Sequence, residues 1–189
     1  MFSPRLQQSG FNLLELMLTL AIIAIVAVFA IPSMRGILSG SELSTTSNQL
    51  VFGLQSARSE AIKRITPVSL CPSADPEAAL PACGGTYTQG WIVFIDENGD
   101  GVLDAPGDEL IRSSEALSRA FSITPDMLFS DGVTFSISGV SINVAGVPIS
   151  GRISVSHAGE QEGRVISIAA SGRISSSALA NINTEEDDG

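Results

Sequence analysis

Residues 10–32 read GFNLLELMLTLAIIAIVAVFAIP, and this stretch decides how the rest of the chain is organised. Within 16–31, Thr19 is the only polar residue. Counted from Phe11, the run has about 21 residues and measures roughly 31 Å as an α-helix, which is enough to cross the apolar part of a bilayer. One carboxylate, Glu15, lies near its start. Because an ionised side chain at bilayer depth costs about 2.5 to 3.5 kcal/mol, Glu15 needs a partner there.

The residues before the run, MFSPRLQQSG, carry Arg5 and the amino terminus as their positive charges. An ordinary secretory signal has a shorter apolar region followed by a small-residue cleavage site, whereas here the small residue Gly10 precedes a longer run. A single-pass anchor with an accidental carboxylate is the alternative to a processed signal. The charges favour a cytoplasmic N-terminus, so the residues after 31 are expected to face the periplasm.

These features resemble the class III signal of type IV prepilins, in which a short basic leader ends in glycine before an apolar helix. Here Phe11 follows the leader, and a carboxylate comes four residues later. The resemblance implies that prepilin peptidase cleaves between Gly10 and Phe11, that Phe11 is N-methylated, and that the helix is retained. It also implies that Glu15 pairs with the Phe11 amine of a neighbouring subunit inside a filament, which supplies the partner that its burial demands.

The composition favours β-structure beyond the helix and argues against a nucleic-acid partner. The 189 residues carry a formal net charge of −10, which is unfavourable for a phosphate-binding surface. Aromatic residues make up 5%, and 18 glycines accompany many serines and β-branched residues, as is typical of strands joined by tight turns. The length is sufficient for one membrane helix and one modest globular domain.

The predicted fold is α+β and type IV pilin-like, with a long N-terminal helix packed on a small antiparallel β-sheet domain. Residues 1–10 are the leader, and 11–32 are the membrane-spanning and polymerisation half of the helix. Residues 33–65 are predicted as its periplasmic half, because apolar residues recur there at i, i+3 and i+4. That stripe consists of Leu43, Leu50, Val51, Leu54, Ala57, Ala61 and Ile62. Gly36 and Gly40 leave open whether one helix continues or another begins near Ser41.

Residues 66–178 are predicted to form the β-rich domain, because short apolar and β-branched runs alternate there with turn residues. The predicted strands are 67–70, 90–95, 110–112, 121–123, 133–137, 153–155 and 165–168. The run 90–95 is almost continuously apolar, which predicts burial on both faces or under the helix. The strands suggest a meander or two small sheets. Residues 179–189 end in TEEDDG and are predicted to be a disordered acidic tail.

The two cysteines, Cys71 and Cys83, enclose a segment rich in proline and turn residues. A disulfide between them is predicted, since the periplasm is oxidising, and it would stabilise the fold by about 2 to 4 kcal/mol. A metal site is disfavoured because further cysteine or histidine partners are not close in sequence. The spacing excludes a CxxC redox motif.

A second resemblance extends over the β-rich domain. Residues 90–111 read GWIVFIDENGDGVLDAPGDELI, in which a Gly-Trp strand, an Asp/Asn/Gly turn and an acidic-Leu strand follow one another. Together with SGRI at 171–174 and the signal at 10–15, this pattern resembles the GspH/FimT family of minor pilins and pseudopilins.

Membership of this family implies a role in assembly with other pilin or pseudopilin subunits on an inner-membrane platform. The protein would sit near a filament tip and help to initiate or cap a type IV pilus. The alternative is the minor pseudopilin H of a type II secretion system, acting in protein export. The Gly-Trp strand, the turn that follows it and the cysteine pair are more similar to the pilus branch.

One pilus branch takes up DNA through a C-terminal Gly-Arg-x-Arg motif. The matching residues 172–175 read GRIS, so Arg173 is present and the second arginine is missing. Arg152 and Arg164 are further scattered cations in an acidic domain. Because phosphate binding scales with the number of charges neutralised, no nucleic acid is expected to bind.

Acidic and amide side chains alternate over residues 96–104, as in the first part of an EF-hand-type calcium loop. The candidate ligands are Asp96, Asn98, Asp100, the carbonyl of Val102, and Asp104. The twelfth position is Gly107 rather than glutamate. The alternative is a hairpin turn in which the Asx side chains bind local amides and glycines take positive φ.

The sequence contains no pattern typical of an enzyme. His157 is the only histidine and is predicted in a solvated loop between strands. No Gly-x-Ser-x-Gly motif accompanies it, and no glycine-rich phosphate loop opens a helix. The predicted function is therefore assembly without catalysis, with calcium as the one cofactor considered. A further alternative is a calcium-binding adhesin at a filament tip, which would use the loop at 96–104.

Overall fold

The computed structural model describes residues 12–104, 107–118, 120–157 and 163–179, with the backbone alone at 27–39. The chain divides into two compact units, Met1–Gly40 and Ser41–Gly189. The predicted processing residues Gly10 and Phe11 lie outside the described residues, as does the acidic stretch 180–189.

One helix, α1 (Leu13–Arg64), continues through Gly36 and Gly40, so no separate helix begins near Ser41. The helix ends at Arg64 because Ile65 adopts a left-handed backbone with φ of +56°. Pro67 follows two residues later and cannot continue a helical hydrogen-bond pattern.

The left-handed Ile65 is an unfavourable end for α1, and replacing it with glycine is expected to stabilise the fold. An L-residue in this conformation costs about 1 to 2 kcal/mol, so Ile65→Gly should raise the free energy of unfolding by about 1 kcal/mol. Little apolar burial is lost, because the side chain is 72% exposed. Urea denaturation of the chain in detergent, followed by the emission of the buried Trp91, measures the change.

The control for this substitution is Ile62→Gly, which places glycine inside the same helix at another exposed isoleucine. It should lower the free energy of unfolding by about 1 kcal/mol, because glycine is a poor helix former. Losses of stability in both variants would contradict the strain assigned to Ile65.

Nine strands follow α1 within the described residues, and they form two antiparallel sheets. The strands are β1 (Val68–Pro72), β2 (Trp91–Ile95), β3 (Glu109–Ser114), β4 (Phe121–Pro125), β5 (Val133–Phe135), β6 (Ser141–Ile142), β7 (Gly151–His157), β8 (Gly163–Ile168) and β9 (Ile174–Ala178). Sheet I has the order β3-β2-β1-β5-β6, and sheet II has the order β4-β7-β8-β9. A 3-10 turn, Met127–Phe129, lies between β4 and β5. The prediction of a small antiparallel domain is confirmed.

Two strands, β6 and β9, were not predicted from the sequence, and β5 is shorter than predicted. The β5 strand ends at Phe135 because the chain turns back through Gly139, which has a φ of +75°. The β9 strand reads ISSSA and lacks the alternation of apolar and polar residues that indicates a half-buried strand. Pairing with β8 forms it instead.

The second unit has one main hydrophobic core between α1 and the two sheets. Four predicted stripe residues of α1 are fully buried there: Leu50, Leu54, Ala57 and Ala61. They pack with Leu70 and Trp91 of sheet I and with apolar residues of sheet II such as Ile153 and Ile166. A side chain at Gly53 would lie 3.0 Å from Trp91 Nε1, so glycine allows α1 to approach β2 closely.

The opposite face of sheet I is also covered. Cys71, Ile92 and Phe94 form a second buried cluster there, against which Leu103 packs. All five residues of β2 are therefore buried, which confirms the prediction made from its continuous apolar run.

Candidate functional site

The helix of the first unit has apolar side chains all round that nothing in the described residues covers. Each of its large apolar residues at 13–26 is at least 52% exposed. These residues are Leu13, Leu14, Leu16, Met17, Leu18, Leu20, Ile22, Ile23, Ile25 and Val26. A helix that is apolar on every face is stable only in an apolar environment, such as lipid or packed helices.

Among the described residues, no helix is both long enough and apolar enough to cross a membrane. The span was predicted at 11–32. Phe11 lies outside the described residues, and so do the side chains from position 27 onward in this span.

Glu15 lies in the first turn of this helix and is exposed among leucines. The turn begins at Asn12, whose carbonyl accepts the Glu15 amide at 3.0 Å, and whose Oδ1 accepts the Leu14 amide at 3.4 Å. A carboxylate here is favoured by the partial positive charge of the helix N-terminus. Glu15 forms no ion pair with any other described residue. The arrangement therefore presents one unpaired carboxylate on an otherwise apolar helix.

The predicted disulfide between Cys71 and Cys83 is present, with a Cα–Cα distance of 5.5 Å. It fastens the turn-rich loop to sheet I, where Cys71 is buried beside Phe94. The loop is followed by Tyr87, whose hydroxyl donates to the Phe129 carbonyl at 3.0 Å. Burial raises the pKa of the Tyr87 phenol, so this donor keeps its proton.

Asp96 is fully buried, and its carboxylate organises the turn after β2. Its Oδ1 accepts the amides of Gly99 and Asp100 at 2.7 and 3.1 Å. Its Oδ2 accepts the Gly101 amide at 2.9 Å and the Ser69 hydroxyl at 2.6 Å. A buried carboxylate is tolerated when hydrogen bonds replace its hydration, and four bonds do so here.

The other candidate calcium ligands serve the same turn. Asp100 Oδ1 accepts the Val102 amide at 2.8 Å, and the Asn98 side chain donates to Asp100 Oδ2 at 2.9 Å. The Asp104 amide donates to Asp108 at 3.1 Å. Lost hydration and the neighbouring Asp108 and Asp100 carboxylates raise the pKa of the Asp104 carboxyl. Within the described ranges, no group of three or more histidine, cysteine or acidic side chains is arranged to hold a metal ion. Calcium is not supported, and the residues form the hydrogen-bonded turn.

His157 is the last residue of β7 and is half-buried, so its placement in a solvated loop was wrong. Strand β7 extends to this residue because it pairs with Phe121 of β4. The two rings pack with their centroids 4.6 Å apart. No described residue forms a hydrogen bond with the buried Nε2 atom.

Arg58 connects α1 to a turn of each sheet, which its position beside the apolar stripe did not indicate. Its Nε donates to the Gly139 carbonyl at 2.9 Å, in the turn between β5 and β6. Its terminal nitrogen donates to the Ser171 carbonyl at 3.3 Å, in the turn between β8 and β9. The sequence could not have predicted these two hydrogen bonds, because both acceptors are backbone carbonyl oxygens, which every residue has.

An apolar helix that bears one carboxylate, continuing into a helix packed on antiparallel sheets, defines a type IV pilin-like filament subunit. The chain belongs to the GspH family, because the family model described as Type II transport protein GspH matches residues 46–172. The model of the prokaryotic N-terminal methylation motif matches residues 5–31. The GspH family and the methylation motif are both typical of processed, membrane-anchored filament subunits. Such subunits are structural proteins that assemble with other pilin subunits.

Solved structures of a minor pilin share this fold. The type IV minor pilin FimU of Pseudomonas aeruginosa matches with a TM-score of 0.54 and 21% identity, over 74% of this chain and 90% of that chain. A second crystal form of FimU matches with a TM-score of 0.53 and 22% identity, over 71% and 92%. No curated protein sequence matches the chain significantly.

Proposed function

We propose that this protein is a minor pilin that prepilin peptidase processes and that helps to initiate or cap a type IV pilus. The observation that carries the proposal is the helix at 13–26, whose apolar surface is uncovered and whose one carboxylate, Glu15, is unpaired among the described residues. Both features call for burial beside other helices. The FimU fold supports the pilus branch.

The proposed chemistry of assembly lies at the N-terminus. Cleavage after Gly10 and N-methylation of Phe11 leave an amine at the start of the mature helix. This amine pairs with Glu15 of a neighbouring subunit and sets the register between helices that are otherwise held by apolar packing. Before assembly, the helix is stored as a single pass in the bacterial inner membrane, with the N-terminus cytoplasmic and the second unit periplasmic. The partners are other pilin subunits and the inner-membrane assembly platform. The proposed function involves no catalysis, no cofactor and no nucleic acid.

The second candidate is the minor pseudopilin of a type II secretion system, where the protein would act in export. The description of the matching family model as a type II transport protein favours it. Both candidates use the same helix and the same Glu15, so they differ in the filament that is lost rather than in the assembly chemistry.

An in-frame deletion strain tests the proposal by counting surface pili in electron micrographs. We expect loss of pili that the wild-type gene restores and Glu15→Ala does not, because the variant lacks the carboxylate that sets register. The matched control is Glu42→Ala, another exposed glutamate of α1, which should restore pili. If the deletion strain keeps its pili but no longer exports enzymes, the protein acts in type II secretion and not in pilus assembly. Full restoration by Glu15→Ala would contradict the assembly chemistry.

A further inference from the structure

The outer face of sheet II is polar and carries arginine. In β7, Ile153 and Val155 are buried in the core, so alternation places Arg152 on the opposite, outer face. The register continues this face across the sheet, because Arg152 lies opposite Ser167 of β8, and Ser167 lies opposite Ser175 of β9. On this outer face, the side chains of Arg152, Ser167 and Ser175 therefore form a row across three neighbouring strands.

A cleft of about 400 Å³ lies at this end of sheet II. It is lined by two exposed arginines, Arg152 and Arg173, and by three serines that include Ser167 and Ser175. Neither arginine belongs to any of the three ion pairs formed among the described residues. The cleft contains one carboxylate, Asp126, whose Oδ2 accepts the Arg152 backbone amide at 2.8 Å. Two guanidinium groups thus face one carboxylate.

The backbone of Arg173 is held by the turn between β8 and β9. Its carbonyl accepts the Ala169 amide at 2.9 Å, and the Gly172 amide donates back to Ala169 at 2.7 Å. Arg58 of α1 fixes the same turn through the Ser171 carbonyl. The cleft is therefore a built feature of the folded unit.

We propose that the acidic segment 185–188 of this chain, which reads EEDD, binds in this cleft. The charges are complementary, since the segment brings four carboxylates to two arginines in a chain whose net charge is −10. Guanidinium groups bind carboxylates in a bidentate manner, and the serine hydroxyls donate further hydrogen bonds.

The length of the chain allows this contact within one subunit. Leu179 is fixed at the far end of β9, where its amide donates to the Gly163 carbonyl at 2.8 Å. Arg173 lies six residues back along the strand, or about 20 Å, and residues 180–185 can span about the same distance when extended. Arg152 lies two strands further across the sheet, about 10 Å away, within reach of residues 186–188.

The contact depends on the tether more than on the strength of each charge pair. Exposed ion pairs are weak individually, but a short linker holds the acidic segment at an effective concentration in the millimolar range. Salt screens such pairs, so the contact should weaken as ionic strength rises. When the acidic segment is bound, Arg152 and Arg173 are shielded from other anions.

The reaction of arginine side chains with phenylglyoxal tests the proposal in the full-length chain in detergent. The variant Glu185→Gln/Glu186→Gln/Asp187→Asn/Asp188→Asn removes the charges of the segment. We expect Arg152 and Arg173 to react about threefold faster in this variant at low salt, the ratio that follows when the effective concentration is about twice the dissociation constant. Arg112, which packs over the Phe52 ring, is the internal reference and should not change. Mass spectrometry of peptides gives each rate.

A matched variant removes four exposed acidic charges elsewhere: Glu42→Gln, Asp75→Asn, Glu77→Gln and Glu97→Gln. It should react as the wild type does, because the proposal assigns the protection to segment 185–188 and not to net charge. Equal rates for Arg152 and Arg173 in the wild type and the tail variant would overturn the proposal. Protection that disappears on dilution would overturn it in favour of the tail of a second copy.

Discussion

Replacing Gly172 with alanine is expected to lower the free energy of unfolding by about 3 kcal/mol, near the upper end for single substitutions. Gly172 has a φ of +74°, and a Cβ atom placed there would overlap the carbonyl oxygen of Gly139. That carbonyl accepts the hydrogen bond from Arg58 Nε, so it cannot move away without losing the bond. The substitution would separate the turns of the two sheets from α1.

The control is Gly146→Ala, because Gly146 has the same φ of +74° and no atom within 4 Å of a built Cβ. It carries the backbone strain without the overlap and should cost about 1 kcal/mol. Urea denaturation followed by Trp91 emission measures both variants. The difference between the two losses in free energy of unfolding measures the effect of the close approach between the two turns. Equal losses in both variants would contradict that effect.

Replacing Asp96 with alanine is expected to cost about 3 to 4 kcal/mol, because the buried carboxylate accepts four hydrogen bonds that its donors lose together. These donors are the hydroxyl of Ser69 and the amides of Gly99, Asp100 and Gly101. The matched control is Asp100→Ala, which removes an exposed carboxylate from the same turn and should cost much less. Similar losses in both variants would contradict the organising role of Asp96.

Calcium provides a second readout of the same turn. Because the Asp96 oxygens are occupied by hydrogen bonds, the urea midpoint of the wild type should be the same with added calcium and with a chelator. A calcium-dependent rise in the midpoint that Asp96→Ala abolishes would revive the EF-hand-like hypothesis.

The parts of the fold that follow from local periodicity were predictable from the sequence. The stripe of α1 contained Leu54 and Ala61 at helical spacing, and both are fully buried. The continuous apolar run of β2 predicted burial on both faces. For both elements, the physical cause acts over a few residues, so a short window of sequence contains it. The disulfide between Cys71 and Cys83 was predicted instead from the oxidising compartment that the N-terminal signal implies.

The remaining features depend on contacts between residues far apart in the chain. Arg58 bonds to carbonyls 81 and 113 positions away, and backbone acceptors leave no mark in the sequence. Strand β9 has serines where a strand pattern needs apolar residues, and its pairing with β8 decides its conformation. His157 was placed in a loop because its cross-strand partner, Phe121, could not be known without the topology of sheet II.

The most direct test of the central claim is the N-terminal mass of the protein isolated from its native membrane and from sheared filaments. The proposed function predicts a mature chain that begins with N-methylated Phe11 and has lost residues 1–10. Gly10→Ala should retain the leader and be absent from filaments. A chain that still begins at Met1 in wild-type cells, or a mature chain in the Gly10→Ala variant, would contradict a processed filament subunit.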